Sequence, residues 1–99
     1  MFCVRVAVRV KPEGRDRFVA QLKTEEREVP DRFSGCERFA VFSDPADPDS
    51  VLLYEEWTIR AAAKAYMGSD YFRDAGSVLF PLMDGAPDSA YYEAQRVGP

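Results

Sequence analysis

Four side chains between residues 55 and 71 have types and spacings that could do chemistry: Glu55, Trp57, Tyr66 and Tyr71. Glu55 and Trp57 are two residues apart in the segment VLLYEEW, so a β-strand there would place both on one face, which we assign to the helix side. Burial under helices raises the pKa of a carboxyl, which would suit Glu55 to general acid or base work near neutral pH. The ordinary phenol pKa is about 10, so we expect the two tyrosines to orient and hydrogen-bond a ligand, not to take its proton.

Each of these residues also has a structural interpretation, and the sequence leaves both open. Glu55 could be an ion-paired residue that meets Arg60 or Arg73. Trp57 could be an ordinary core residue, and the two tyrosines could pack at a helix edge with their hydroxyls in water. If Glu55 is structural, its replacement should lower stability and leave any turnover unchanged.

The sequence gives little support for a disulfide, a metal site or a phosphate-binding loop. The chain contains no His, and Cys3 and Cys36 lie on predicted first and second strands, which the predicted fold separates by about 10 Å, too far for a disulfide or a shared zinc ion. Asp44, Asp47 and Asp49 fall in DPADPDS, a predicted turn-rich loop that lacks the Gly turn and the closing Glu of a calcium loop. The glycines are scattered, so no phosphate-binding loop is indicated. We therefore expect no metal and no cofactor.

Length and charge narrow the class of protein. The 99 residues predict one domain, residues 1–99. The net charge of -4 and the lack of a basic stripe argue against a nucleic-acid partner. No apolar run is long enough to span a membrane, and the amino-terminal segment MFCVRVAVRV alternates with charge, unlike a signal peptide. We therefore expect a cytoplasmic protein with reduced cysteines.

The hydrophobic pattern predicts four strands and three helical segments. Alternation predicts strands at residues 2–10, 35–43, 51–57 and 89–97. Helical spacing predicts a first helix that begins near Pro12 and ends before Pro30. Thr58 is the expected N-cap of a second helix, and Ser69 or Asp70 that of a third piece. The order β-α-β-β-α-β predicts a ferredoxin-like α+β fold with helices on one face of an antiparallel sheet.

The sheet face away from the helices carries a mixture of apolar and charged side chains: Cys3, Arg5, Ala7, Arg9, Leu52, Tyr54 and Glu56. The apolar side chains of this face would be unfavourable in water, and its charged side chains would be unfavourable in a dry core. We therefore predict a homodimer packed sheet to sheet, with Arg5 or Arg9 paired to Glu56 or Glu93. The alternative is a monomer with a solvated face.

The segments VRVKPEGRDRFVAQL, GCERF, DPADPDSVLLYEEW and YMGSDYF follow one another at the spacings of the antibiotic biosynthesis monooxygenase family. The chain resembles this family over nearly its whole length, most specifically in Tyr54-x-x-Trp57 and in the Ser69-x-x-Phe72 step twelve residues on. The resemblance implies a dimeric α/β barrel of ferredoxin-like topology, with a pocket between helices and sheet in each subunit. Its members include enzymes that oxidise phenols or hydroquinones with O2 and no cofactor, quinol monooxygenases, and haem-degrading enzymes.

The haem-degrading branch of the family does not match this sequence. That branch would place Asn, Trp and His where this chain has Val6, Tyr66 and Gly76. The pocket implied by the resemblance would therefore use other residues. We expect catalytic roles for Glu55, Tyr66 and Tyr71, and substrate contacts from four apolar residues: Trp57, Val6, Leu53 and Phe72.

The resemblance thus implies a cofactor-independent monooxygenase, an oxidoreductase of antibiotic biosynthesis, acting with O2 on a phenolic or hydroquinone-type, polyketide-like aromatic. Two other functions are compatible with the same fold. One is a polyketide isomerase or cyclase that would use Glu55 for proton transfer and consume no oxygen. The other is a non-catalytic dimer that binds a small aromatic molecule or acts as an accessory protein.

Overall fold

The computed structural model describes residues 1–99, which form a four-stranded antiparallel sheet and three helices. The strands are β1 (Phe2–Arg9), β2 (Cys36–Asp44), β3 (Asp47–Trp57) and β4 (Asp88–Glu93). The helices are α1 (Arg15–Arg32), α2 (Arg60–Met67) and α3 (Asp70–Leu79), with short 3₁₀ turns at Pro12–Gly14 and Phe80–Leu82. The strand order β2-β3-β1-β4 confirms the predicted ferredoxin-like α+β fold.

The register of the two central strands determines which side chains lie under the helices. β1 pairs with β3 so that Val4 lies opposite Glu55, and Val6 opposite Leu53. Directly opposed residues of an antiparallel pair point to the same face. Glu55 therefore shares the helix-covered face with the valines of β1, as the alternation predicts.

The core consists of two apolar clusters on this face. The first contains Phe2, Val4, Val29, Phe39, Trp57, Ala63 and Tyr66, and the second contains Val8, Val10, Phe18, Leu22, Val51 and Leu79. Val6 and Leu53 are only partly buried and contact both clusters. The middle of the sheet between the two clusters is therefore less completely covered than either end.

Helix α1 continues beyond the predicted end at Pro30 to Arg32. A proline has no N–H to donate to the carbonyl four residues earlier, but this removes only one hydrogen bond of the helix. Val29 is fully buried, and the Phe33 N–H donates to the Val29 carbonyl at 3.0 Å. Packing of this last turn therefore outweighs the local effect of the proline.

Several strand boundaries also differ from the prediction. The segment predicted as a turn-rich loop is a tight hairpin at Pro45 and Ala46, and β3 begins at Asp47 instead of residue 51. The side chains of Asp44 and Asp47 accept hydrogen bonds from backbone N–H groups two residues on, which stabilises a short turn. β4 ends at Glu93 instead of residue 97, and β1 ends at Arg9.

Two of the charges that we predicted to pair across a dimer have partners within the chain: Arg9 lies on the open face of the sheet, and Glu93, opposite Phe2, lies on the helix side. Arg9 forms a salt bridge with Asp47 at 2.7 Å, and Glu93 lies 3.5 Å from Arg60. These two residues therefore have partners without a second subunit, unlike the pairing that we predicted for them. β3 lies between the strands of Cys3 and Cys36, and both thiols are free. No helix is both long and apolar enough to cross a membrane.

The corner between α2 and α3 is held by a side-chain cap. The Ser69 hydroxyl accepts from the Phe72 N–H at 3.1 Å and donates to the Tyr66 carbonyl at 2.6 Å. Thr58, by contrast, is not the cap of α2, because Ile59 occupies that position and no side chain caps it. Ser69 thus fixes the ends of two helices that carry Tyr66 and Phe72.

We expect Ser69→Ala to lower the free energy of unfolding by about 1 kcal/mol, within the range of about 0.5–2 kcal/mol for loss of an N-cap hydroxyl. Ser77→Ala is the control, because the Ser77 hydroxyl contacts only the Asp74 carbonyl of its own helix at an exposed position, where changes stay within about 0.5 kcal/mol. Urea denaturation of both variants measures the difference. Equal losses would show that Ser69 does not hold the corner.

Candidate functional site

A cavity of about 270 Å³ lies between the sheet and the helices. Its sheet side includes Val4, Val6, Leu53 and Glu55, and its helix side includes Leu22, Glu25, Phe72 and Leu79. Phe80 and Tyr91, which are 58% and 54% exposed, line it where it reaches solvent. The cavity is therefore an apolar space with an aromatic mouth and few polar side chains.

Glu55 is the polar group on the sheet side of this cavity. Its side chain is 5% exposed, and its Oε1 accepts a hydrogen bond from the Trp57 indole N–H at 2.8 Å. Burial raises the pKa of the Glu55 carboxyl to about 7, the negative charge of Glu25 adds to the effect, and the indole N–H opposes it. At neutral pH this carboxyl is therefore poised between its two protonation states.

The ion-paired interpretation of Glu55 is wrong. Arg60 lies against Glu93, and Arg73 forms salt bridges with Asp70 and Asp74, both on its own helix. Glu55 forms no salt bridge with either arginine, and its carboxyl accepts a hydrogen bond only from the Trp57 indole. An unpaired carboxyl in an apolar cavity costs stability, which makes it a candidate for function.

Trp57 does not line the cavity, which corrects the prediction that it offers a wall to the substrate. The indole is fully buried behind Tyr66, and the two rings stack with centroids 5.3 Å apart at 25°. β3 carries Trp57 two residues beyond Glu55, toward the end of the sheet that α2 covers. Its side chain therefore supports Tyr66 and donates to Glu55 from outside the cavity.

The two tyrosines direct their hydroxyls at carboxylates of α1. The Tyr66 hydroxyl donates to Glu25 at 3.4 Å, and the Tyr71 hydroxyl donates to Glu28 at 2.9 Å. Burial raises the pKa of both phenols, so neither can serve as a base at neutral pH. Tyr66 lines the cavity, but Tyr71, predicted to face it, does not: its hydroxyl binds Glu28 and its ring packs against Phe33.

Glu25 is a cavity residue that the sequence analysis missed. Its side chain is 2% exposed, and it accepts hydrogen bonds from Tyr66 and from the Gln21 amide at 3.2 Å. Burial raises the pKa of this carboxyl, and the two donors partly offset the rise. The buried residues of α1 are Phe18, Leu22, Glu25 and Val29, so a charged residue in this apolar stripe was the signal that could have identified it.

Three further residues were predicted to contact a substrate, and that contact stays a prediction. Val6, Leu53 and Phe72 all line the cavity. Together with Glu25, Glu55 and Tyr66 they form a largely apolar chamber with two carboxyls and, with Tyr91 at its mouth, two phenols. Such a chamber can bind a small aromatic molecule and exchange protons with it.

The sequence profile of the antibiotic biosynthesis monooxygenase family matches residues 1–77, which include both carboxyls and Tyr66. The chain belongs to this family. A comparison with curated proteins finds no significant match.

Solved structures with the same fold include several named as monooxygenases of this family. One is a protein from Nitrosomonas europaea that carries the provisional name of an antibiotic biosynthesis monooxygenase and is 20% identical to this chain. The match has a TM-score of 0.89 and covers 97% of this chain and 100% of that one. A Deinococcus radiodurans protein with the same provisional name is 18% identical with a TM-score of 0.90, covering 100% of this chain and 97% of that one. At these identities the likeness establishes the fold alone.

Within the antibiotic biosynthesis monooxygenase family, the three positions that would carry the haem-degrading residues all line this cavity. They are Val6, Tyr66 and Gly76. Gly76 is closely packed, because a Cβ there would lie 2.9 Å from the Phe80 ring. The chain has no cluster of three or more potential metal-binding side chains.

We expect Tyr71→Phe to lower the free energy of unfolding by about 1 kcal/mol, because it removes a partly exposed hydrogen bond to a carboxylate. It should leave the affinity for aromatic ligands unchanged, since Tyr71 lies outside the cavity. Urea denaturation and quenching of Trp57 fluorescence by 1-naphthol measure the two properties. A weaker affinity for 1-naphthol with unchanged stability would show that Tyr71 belongs to the binding site.

Proposed function

We propose that this protein is a cofactor-independent monooxygenase that oxidises a phenolic or hydroquinone-type aromatic with O2. The observation that carries the proposal is a buried carboxyl without an ion-pair partner, Glu55, in the lining of a largely apolar cavity, where burial raises its pKa to about 7. Membership of the family supports the reaction class. Glu55 acts as the base, Tyr66 orients the substrate, and the side chains of Val6, Leu53 and Phe72 contact its ring.

The chemistry requires little more than a proton acceptor and a dry chamber. O2 has a triplet ground state, so it reacts slowly with neutral closed-shell phenols. Removal of the hydroxyl proton by Glu55 produces an electron-rich phenolate that can pass one electron to O2. The resulting radical pair combines to a peroxide, which collapses to the quinone and water. Apolar walls exclude bulk water and hold the reactants together.

The size of the cavity limits the substrate. A cavity of about 150 Å³ in an engineered protein core binds benzene, and the cavity of this protein is about 270 Å³. A one-ring or two-ring aromatic therefore fits the closed chamber. Larger polyketides would have to extend past Phe80 and Tyr91 into solvent.

The proposal is tested by oxygen uptake with metal-stripped protein and a panel of 1-naphthol, hydroquinones and anthrone. We expect uptake well above the uncatalysed rate for at least one phenol, with one O2 consumed per quinone formed. If no compound supports uptake, the oxygenase proposal is wrong. Ligand-induced quenching of Trp57 fluorescence without uptake would then indicate a binding protein, and an isomerised product would indicate a proton-transfer enzyme.

We also propose that the functional unit is a homodimer that buries the open face of the sheet. Phe42 and Tyr92 are 42% and 50% exposed, and their pairing with Leu52 and Cys3 places them on that face. Exposed aromatic side chains on one face are typical of an interface. Light scattering should give about twice the chain mass of 11.2 kDa, and Tyr92→Glu should halve it. A monomeric wild-type protein at micromolar concentration would exclude this dimer.

A further inference from the structure

Two buried carboxyls reach the cavity from opposite layers of the fold. Glu25 comes from helix α1 and Glu55 from strand β3, and the two side chains are 2% and 5% exposed. Both line the cavity, and neither forms a salt bridge. A single proton transfer needs only one carboxyl, so the second carboxyl is available for another step.

The hydrogen bonds of the two carboxyls give them different protonation preferences. Glu25 accepts from both Gln21 and Tyr66, and such bonds favour the ionised form. Glu55 accepts only from Trp57, and its side chain lines the cavity. Glu25 can therefore stay ionised, and able to take a proton, while Glu55 carries one.

The proposed reaction releases two protons from well-separated atoms of the substrate. Oxidation of 1-naphthol at its para carbon illustrates the balance: C10H8O + O2 gives C10H6O2 + H2O. One proton leaves the hydroxyl oxygen, and the other leaves the carbon at the opposite end of the ring. A base on one side of a small chamber cannot easily reach both atoms.

We propose that Glu25 is a second proton acceptor of this cavity and removes the proton from the oxidised carbon, while Glu55 removes the hydroxyl proton. This inference rests on the proposed monooxygenase function. It assigns the substrate class more narrowly, to phenols with a free C–H para to the hydroxyl. It also explains why a helix otherwise packed through apolar residues carries a buried carboxyl beside Tyr66.

The steps balance in atoms and electrons. Glu55 accepts the hydroxyl proton, the phenolate gives one electron to O2, and the two radicals form a carbon–oxygen bond at the para carbon. The protonated Glu55 returns its proton to the peroxide. Glu25 then takes the para C–H proton as that electron pair forms the carbonyl and the O–O bond breaks. The departing hydroxide takes the proton from Glu25 and leaves as water, which restores both carboxylates.

The test compares Glu25→Gln with Glu28→Gln. Glu28 is the matched control, because it lies on the same helix and also accepts from a tyrosine, but it does not line the cavity. The readouts are kcat and KM for 1-naphthol and for 1-naphthol deuterated at the para carbon. For Glu25→Gln we expect kcat to fall about 100-fold, KM to change little, and a deuterium isotope effect on kcat to exceed that of the wild type. Glu28→Gln should match the wild type.

Wild-type kcat and isotope effect in Glu25→Gln would overturn the role of Glu25 while leaving the proposed function intact. No oxygen uptake by the wild type would instead overturn the proposed function. If Glu25→Gln does not fold, Glu25→Asp takes its place, because it keeps the carboxyl and withdraws it by one methylene. A lowered kcat with a larger isotope effect then supports the proposal, and wild-type values overturn it.

Discussion

Replacing Glu55 with Gln should lower turnover by at least about 100-fold and leave ligand binding almost unchanged. Gln has nearly the same shape and still offers an oxygen to the Trp57 indole N–H, but it cannot accept the substrate proton. Loss of a general base lowers the rate by roughly 100-fold to 10,000-fold. The measurement is kcat for oxygen uptake, together with the affinity for 1-naphthol from Trp57 fluorescence quenching.

The same substitution should stabilise the protein above neutral pH. Because folding raises the pKa of Glu55 from 4.5 to about 7, the native state binds more protons than the unfolded state between these values. Stability from this group is complete below pH 4.5 and is lost as the pH rises through 7. At about 1.4 kcal/mol per pH unit, the loss at pH 8 is about 3 kcal/mol.

Glu55→Gln removes this loss, so we expect its free energy of unfolding at pH 8 to exceed that of the wild type by about 1–3 kcal/mol. The lower end applies if the amide N–H groups find no acceptor in the cavity. At pH 4 the difference should vanish or reverse. A variant that is less stable at pH 8 and retains turnover would show that Glu55 is structural.

Trp57→Phe should have the second-largest effect, and it should change both stability and pH dependence. The substitution leaves space in a fully buried site and removes the indole N–H from the Glu55 carboxylate. A hydrogen bond to a charged group contributes about 1.5–3 kcal/mol, so we expect a total loss of about 2–4 kcal/mol at pH 8.

Removal of the indole N–H should also raise the pKa of Glu55 further, since the donor favours the ionised form. Oxygen uptake should therefore need a higher pH than in the wild type. The Trp57→Phe, Glu55→Gln double variant is the control, because in it the coupling between the two residues is absent. If the changes in stability of the two single variants at pH 8 simply add in the double variant, the hydrogen bond contributes nothing.

The sequence was informative wherever a period-two pattern determined a face. Alternation in β1 and β3 places Glu55, Leu53 and Val6 on the helix side, and the observed register agrees. The Ser69 cap followed in the same way from local hydrogen-bonding chemistry. These features depend on neighbouring residues, so a single sequence can reveal them.

The features that the sequence did not reveal depend on contacts between distant elements. The packing of α2 on the sheet determines whether Trp57 contacts a ligand or Tyr66. Alternation along β3 does not predict this packing. The direction of the Tyr71 hydroxyl depends on Glu28, which is 43 residues away. Glu25 was missed because a charged residue in a helix is usually solvated, and only the packing of α1 buries it.

The pH dependence of kcat/KM for oxygen uptake by the wild type and by Glu55→Gln tests the central claim most directly. If Glu55 is the base, kcat/KM should rise with pH through an apparent pKa of about 7, because the ionised carboxylate is the active form. In Glu55→Gln this rise should disappear, leaving only slow uptake that follows ionisation of the phenol itself. A wild-type profile that already follows the phenol alone, and that Glu55→Gln leaves unchanged, would contradict the account.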